Sequence, residues 1–426
     1  MNQIKVTIII PVYNGAEFIR RSFDSCIYQT LKEIEVIAVN DCSPNSRDAA
    51  IMREYEETYP ERFRALFHEE NKRQGGARNT GIRAARGEYF LCVDQDDFID
   101  FQMCEKMYEK AVENKADLCL CGYRIFACGN VSTIPPTKCT IENMNVGAVE
   151  VWKMLVKTSF VMSYQVFFPE NVVTDDLVTI LWFALTDKHC IVREALYNWV
   201  RHINSETMSL QYRFFASIPA SLISIGSFPA FIDLPAVKRE EISLIITHYL
   251  CDAVVNCAKH CPERLTDLCL LVKETLEIYR PDFSHEIFTS TIYGIRYAAI
   301  LSYIAEHYGE DKFAEKLENF SNALIAKLIK EELLSKYGSA ATLVIYGAGI
   351  RGKRLAGYLQ GAGVSFEVTD SNPALYGQKF CGKTIKPWSE LKGSTNVVVV
   401  SPLVGYYEIK AVINDPNIEV VEFHNL

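Results

Sequence analysis

Gly87 to Asp100, GEYFLCVDQDDFID, sets an apolar, strand-like run, Tyr89 to Val93, directly before Asp94, Asp96 and Asp97. In an extended chain alternate side chains share a face, so Asp94 and Asp96 stand side by side and Asp97 reaches around the turn. Two carboxylates about 4 Å apart at an effective dielectric of about 20 repel by about 4 kcal/mol. A hard divalent cation with oxygen ligands reverses that cost. Taken alone, the stretch reads equally well as an acidic loop solvated by water, with Asp97 capping a helix before Phe98.

The elements upstream give these acids a setting. Val6 to Pro11, VTIIIP, is a β-branched apolar run too short for a helix and closed by proline, the pattern of a buried parallel strand. Tyr13, Asn14 and Gly15 make a loop, and a helix follows with Phe18, Ile19, Phe23 and Ile27 on one face. Ile34 to Val39 is a second buried strand, ending in Asn40, Asp41, Cys42 and Ser43. A third, near Phe63 to Phe67, runs into Asn71, Lys72, Arg73, Gln74, Gly75, Gly76, Ala77, Arg78 and Asn79, a basic loop opening a helix. Its glycines let backbone approach a phosphate, and a helix amino terminus favours anions. Open α/β sheets bind ligands at the carboxyl ends of their strands, and polar clusters gather there repeatedly.

Four segments in order, VTIIIPVYNGAEFI, VNDCSPNS, GGARNTGI and ARGEYFLCVDQDDFID, resemble the inverting nucleotide-sugar glycosyltransferases of family two. The resemblance is close over the first hundred residues and weaker to about residue 210. It implies an α/β, Rossmann-like A-type glycosyltransferase fold, in which Pro11, Tyr13, Asn14, Asp41, Arg73, Arg78, Asp94 and Arg201 bind the donor. Tyr13 would lie against the base, Asp41 would hydrogen-bond it, and Asp94, Asp96 and Asp97 would hold Mg2+ or Mn2+. Phe168, Pro169 and Glu170, then Asp175 and Asp176, resemble the family's acidic pair before a helix, which makes Asp176 the expected general base; a helix cap is its bland role. Arg201 or His202 would approach the donor diphosphate.

Two departures stand out. Asn40 and Cys42 replace the aspartate and glycine usual beside Asp41, and no Trp and Lys segment can be placed between Val156 and Phe167, so the acceptor side is expected to be remodelled.

Composition agrees with an enzyme of this kind. At about 100–200 residues per domain, 426 residues suggest two or three domains, and 49% hydrophobic residues suffice for packed cores. A net charge of −9 argues against nucleic acid as a partner, which needs clustered cations. The 14 cysteines are scattered in apolar contexts and read as reduced and buried; Cys251, Cys257, Cys261 and Cys269 do not match a zinc spacing. The first twenty residues lack a signal-peptide pattern, so a cytoplasmic location is expected, with peripheral contact at the inner face of the membrane as a further expectation. Phe214 to Ile232 is uncharged but interrupted by Pro219, Gly226 and Pro229.

The expected division is 1–210 for the glycosyltransferase domain (1–100 the nucleotide-sugar half, 101–210 the acceptor half), 211–335 for a helical spacer or oligomerisation unit, and 338–426 for a small Rossmann-like α/β domain. In the last, Gly347, Gly349 and Gly352 follow a strand at the GxGxxG spacing, and Asp370 ends the next strand where a ribose-binding acid is expected. A nucleotide or NAD is the ligand that pattern suits; retention of the glycines for a tight turn is the alternative.

The expected reaction moves a sugar from a nucleoside diphosphate donor, UDP-linked, to a saccharide or lipid-linked saccharide acceptor in cell-surface polysaccharide or glycan synthesis. The alternatives are a non-catalytic sugar-nucleotide-binding or assembly protein, and a sugar redox or epimerase enzyme centred on the carboxyl-terminal domain.

Overall fold

The computed structural model describes residues 3–127, 130–136, 150–201, 211–285, 292–307, 312–337, 343–391, 397–400 and 418–422, with single residues 310, 409, 413 and 415. The chain divides into two compact units, Met1–Asp282 and Phe283–Leu426.

In the first unit, β1 (Val6–Val12) and β2 (Ile34–Asn40) are buried at every position, as strands covered on both faces must be. With β3 (Phe63–Phe67) and β4 (Tyr89–Cys92) they form a parallel half in the order β3-β2-β1-β4. The connecting helices are α1 (Ile19–Ile27), α2 (Ser46–Thr58) and α3 (Arg73–Ala84). Pro11 lies beyond the last β1–β4 pair, Ile9 with Cys92. It has no N–H to give a ladder, and the two strands part there into a crevice.

The sheet continues through β5 (Phe98–Ile99), β6 (Leu118–Ala127), β7 (Asn130–Ile134), β8 (Met154–Lys157) and β9 (His189–Val200). The order beyond β4 is β8-β6-β9-β5, with β7 paired to β6. Here β8 runs antiparallel to β4 and β6, while β9 runs parallel to β6. Helices α4 (Met103–Glu113), α5 (Thr158–Tyr164) and α6 (Val178–Leu185) flank this half. One core joins Ile8, Phe23, Phe63, Tyr89, Met107, Trp152 and Tyr197 across both halves.

The uncharged stretch near 214–232 folds as α7 (Tyr212–Gly226), with Pro219 inside it, and α8 (Pro229–Ile232). These pack with α9 (Ala236–His260) and α10 (Leu265–Tyr279) within the same unit. Among the described residues α9 is the helix long and apolar enough to cross a membrane, and 78% of that apolar window is buried in the fold.

The second unit contains α11 (Ile292–His307) and α12 (Phe313–Tyr337), then β10 (Leu343–Tyr346), α13 (Ile350–Gly361) and β11 (Phe366–Thr369). A short hairpin of β12 (Lys379–Phe380) and β13 (Lys383–Thr384) precedes β14 (Val397–Val400) and β15 (Glu419–Glu422). The parallel order is β11-β10-β14-β15.

Helix α3 sits against the parallel half at almost no distance. A Cβ added at Gly81 would lie 2.3 Å from Ile9 Cγ2 in the middle of β1. Gly81→Ala is therefore expected to cost about 1–3 kcal/mol of stability, seen as a lower urea midpoint at unchanged slope. An unshifted midpoint would show that the contact yields without cost.

Candidate active site

The carboxyl ends of β1, β2, β3 and β4 deliver Tyr13, Asp41, His68 and Asp94 to one edge of the sheet. Gln95, the residue between the first two acids, stitches two of these loops together. Its side chain accepts from Tyr13 N and donates to Tyr13 O, both at 2.9 Å. A Cβ at Gly15 would meet Gln95 Oε1 at 2.1 Å, so a side chain there would displace that amide. Asn14, at φ 50, donates its N–H to Ser43 Oγ, and the buried Asp48 accepts from both Ser43 Oγ and Gly15 N. Tyr13 itself stays 45% exposed at the mouth.

Asp41 is buried and held on several sides. Oδ1 accepts from Lys72 N and lies 2.8 Å from His68 Nδ1, and its backbone oxygen accepts from Asn71 Nδ2. Because an ionised carboxylate only accepts, the His68 ring presents an N–H to it, with Nε2 2.8 Å from Thr80 Oγ1.

The centre of the site is Arg78, on α3 and 1% exposed. Nη1 donates to Asp175 Oδ2 at 2.8 Å and to Asp176 Oδ1 at 2.5 Å, and Nη2 donates to Asp94 Oδ1 at 2.9 Å. Gln74 Nε2 gives Asp94 Oδ1 a second donor at 2.7 Å. Asp175 and Asp176 open a short 3-10 turn before α6, and neither caps it. Their carboxylates turn to the guanidinium, where a charged donor outcompetes backbone N–H groups. The resemblance implied that Arg78 faces the donor; the structure encloses it among acids, with its ring-facing side 5.3 Å from the centre of Phe168.

Burial raises the Asp94 carboxyl to about 6 against the pull of Arg78, with Asp96 and Asp176 adding to the rise. Burial likewise raises Asp175 to about 7, again opposed by Arg78 and assisted by Asp176. Asp176 keeps 24% of its side chain exposed and Asp175 only 2%, so the second acid of the pair is the one that meets the crevice.

The third acid of the acidic run is placed apart from the other two. Asp97 is buried, accepting from Tyr197 OH at 2.7 Å and from Val200 N at 2.7 Å, and burial lifts its carboxyl well above the usual range. Tyr197 OH also accepts from Asp94 N, joining β9 to the loop that carries the acids. Trp152 stacks on Tyr197 with ring centres 4.4 Å apart, and Lys153 beside it is buried against Glu150. Among the described residues no group of three metal-ligating side chains converges. Asp94 and Asp96 remain as two hard oxygen donors close enough to feel each other's charge.

The glycines of α3 serve packing. A Cβ at Gly75 would come within 2.2 Å of Pro169 O, and the Asn79 amide clamps the backbone of Phe168 from both sides, at 2.9 and 3.0 Å. The same helix that opens the crevice thus fixes the segment carrying Asp175 and Asp176. Arg73 is exposed at φ 62 beside this loop. Arg201 lines a cavity of about 340 Å³ with Arg21, Phe98 and Phe126, and Arg21 donates to the backbone oxygen of Asp96. His202 lies outside the described residues. Asp48, Gln95 and His68 were not picked out from sequence, and no role was drawn there for Ser43, Gln74 or Tyr197. His68 directly follows β3, Ser43 and Gln95 lie three residues beyond β2 and β4, and Asp48, Gln74 and Tyr197 lie inside α2, α3 and β9.

Residues 7–165 match the model of Glycosyl transferase family 2. The uncharacterized glycosyltransferase EpsJ of Bacillus subtilis is 39% identical over 131 residues, which is 31% of this chain and 37% of that protein. The glycosyltransferase GlyA of Streptococcus pneumoniae is 40% identical over 123 residues, 29% of this chain and 17% of that protein. The chain thus spans well under half the length of these two relatives. The crystal structure of S. aureus TarS 1-349 in complex with UDP-GlcNAc superposes with a TM-score of 0.59 at 16% identity, covering 77% of this chain and 92% of that one. At that identity the likeness is one of fold.

Removing the cation at the centre has a signed consequence. Arg78→Met strands the acids around it and is expected to cost about 3–5 kcal/mol near neutral pH, with part regained as the acids protonate. In the parent chain the raised carboxyls of Asp94 and Asp175, about 6 and about 7 against a usual 3.8, hold protons that the unfolded chain releases. Stability from these groups is therefore full at the acid end and lost as pH rises through their folded values. Denaturant midpoints of the metal-free chain should fall between pH 5 and pH 7.5 by this argument; a rise across that range contradicts the burial of these acids.

Proposed function

We propose that residues 7–165, which match the model of Glycosyl transferase family 2 on a fold like that of TarS, carry out a specific sugar transfer. The chain moves a sugar from a nucleoside diphosphate donor, UDP-linked, to an acceptor hydroxyl in one inverting displacement assisted by a divalent cation. The observation that carries the reading is the convergence of Asp94 and Asp176 on the single Arg78 guanidinium. It sets a donor-side acid and an acceptor-side acid at one point of the crevice.

Mg2+ or Mn2+ suits the donor set. Asp94 uses Oδ1 for Arg78 and Gln74, and no donor among the described residues reaches Oδ2; Asp96 supplies a second carboxylate. One or two carboxylates are what such a cation takes when phosphates and waters complete its shell. When bound, it supplies a Lewis acid for the charge that gathers on the departing diphosphate.

The chain's own residues do the rest. Asp41, pre-set by His68 and Lys72 N, accepts from the base, and Tyr13 lies along its plane. Pro11 and Asn14 shape the loop beneath it, and Arg73 and Arg201 face the diphosphate. Asp176 takes the proton from the acceptor hydroxyl as that oxygen bonds to the anomeric carbon and the bond to the diphosphate breaks. Its partial exposure beside the buried Asp175 supports that assignment. Asp175 serves as the counterion that holds Arg78 in place.

That S. aureus TarS, of like fold, holds UDP-GlcNAc supports a uridine donor. A saccharide or lipid-linked saccharide acceptor, in cell-surface polysaccharide synthesis, completes the proposal. The described cysteines are mostly buried, which supports a reducing, cytoplasmic setting.

A screen of UDP-sugars with Mn2+ or Mg2+ and candidate acceptors, scored by release of UDP, tests donor, metal and activity together. Asp176→Asn is expected to lower transfer by about 10²–10⁴-fold, the span of a general base. Asp96→Ala should do comparable damage while weakening the dependence on added metal, and both variants should melt like the parent. Undiminished turnover in both would remove these two assignments.

A further inference from the structure

The backbone ladder between β1 and β4 ends early. Its last rungs are the pair Ile9 with Cys92 and the bond from Val93 N to Ile9 O at 2.9 Å, after which Pro11 has no N–H to offer. A little farther along, a side chain takes over. Gln95 Oε1 accepts from Tyr13 N and Gln95 Nε2 donates to Tyr13 O, each at 2.9 Å, the two bonds that a residue of a neighbouring strand exchanges with its partner. The Tyr13 N–H only donates and its carbonyl only accepts, so a primary amide is the side-chain group that meets both. A carboxylate would meet one of them, and asparagine is one carbon shorter.

Both ends of this bridge are prepared. On the acid side, Asp94 N donates to Tyr197 OH at 3.1 Å, Asp97 N donates to Asp94 O at 3.1 Å, and Arg21 donates to Asp96 O. Gln95 therefore reaches out from a loop that is tied down on either side of it. On the other side, Gly15 gives the amide its room: a Cβ there would lie 2.1 Å from Oε1 and 2.6 Å from the amide carbon. Gly15 is not among the glycines at positive φ, so space rather than backbone freedom is what the position supplies. The glycines and acid of the second unit carry no such argument. A Cβ on Gly349 would meet nothing within 4 Å, and Asp370 accepts from Ala348 N and Asn372 N in its own loop.

We infer that Gln95 is a positioning residue for the base of the donor, an inference that rests on the sugar-transfer reading and on the place it gives Tyr13. The Tyr13 ring is 45% exposed, so the backbone from which it projects sets its direction. Asn14 N on Ser43 Oγ and Gly15 N on Asp48 Oδ2 hold that backbone from the β2 side; Gln95 holds it from the β4 side. The residue between Asp94 and Asp96 thus aims the ring along which the base lies, and base and metal acids share one support. A change at Gln95 is felt at the base through Tyr13.

The test reads binding as well as turnover, in the full chain. UMP, or GMP in a second arm, is titrated calorimetrically into the metal-free chain, and the arm that the parent binds is followed. Gln95→Ala is expected to weaken that nucleotide by about tenfold and to raise KM for the sugar nucleotide by a like factor, with kcat at saturating donor within about twofold of the parent. Its unfolding midpoint should match the parent's, because the two bonds lost lie at the surface. Gly15→Ala, which pushes the same amide aside, should weaken the nucleotide comparably. The double variant should then be no weaker than Gln95→Ala alone. Additive losses would mean that Gly15 and Gln95 act separately, and would overturn the inference. Nucleotide binding and KM unchanged in Gln95→Ala would also overturn it, with sugar transfer left standing. If the parent binds neither nucleotide and releases no diphosphate from any sugar nucleotide, the transfer reading itself fails and takes the inference with it.

Discussion

A guanidinium buried to 1% exposure is tenable only among anions, and Arg78 has three within hydrogen-bond reach. Desolvating such an ion costs several kcal/mol, which only good geometry and charge-assisted hydrogen bonds offset. The arrangement makes each acid depend on the others. Asp94 comes from the end of β4, Asp175 and Asp176 from the turn before α6, and Arg78 from α3, so one side chain decides how three elements meet. The charges do not balance, since one cation serves several carboxylates, and burial leaves Asp94 and Asp175 with raised proton affinity. That residual negative charge is what a divalent cation at the crevice would complement.

Helix α3 supplies this centre because its residues divide the labour by face. Gly81 lets it approach β1, Ala77 packs with Ile37 and Val39, and Gly75 admits the backbone of Pro169. Asn79 then grips Phe168, the segment leading to the acid pair. The loop that carries Arg73 and the segment that leads to Asp175 and Asp176 are thus held by one element.

A second clamp works from the opposite side of the sheet. Tyr197 on β9 binds both the buried Asp97 and the backbone of Asp94, while Trp152 stacks on its ring. Asp97 gives rigidity to the acidic loop, a role suited to a carboxylate with its oxygens already engaged. Trp152 and Lys153 lie ahead of the interval in which a Trp and Lys segment could not be placed, and they are part of the packed core beside the site.

Much was legible in the residues themselves. The continuous apolar runs of β1 and β2 and the polar residues that end them made the parallel half of the sheet, and the edge at which Asp41 and Asp94 lie, legible, because strand burial and alternation are local properties of the chain. The glycine pattern after β10 was legible for the same reason. What sequence could not supply was which charge faces which. Arg78 and Asp175 are 97 residues apart, and whether the guanidinium meets a phosphate or a carboxylate depends on how α3 settles against the 168–176 segment. Only tertiary packing decided that Asp175 is buried and Asp176 open, that Asp97 turns inward to Tyr197, and that Gly75 and Gly81 are filled spaces while Gly349 is an open one. Local periodicity fixes which atoms lie on a face; the long-range fit of those faces fixes their partners, and with them their charge and their chemistry.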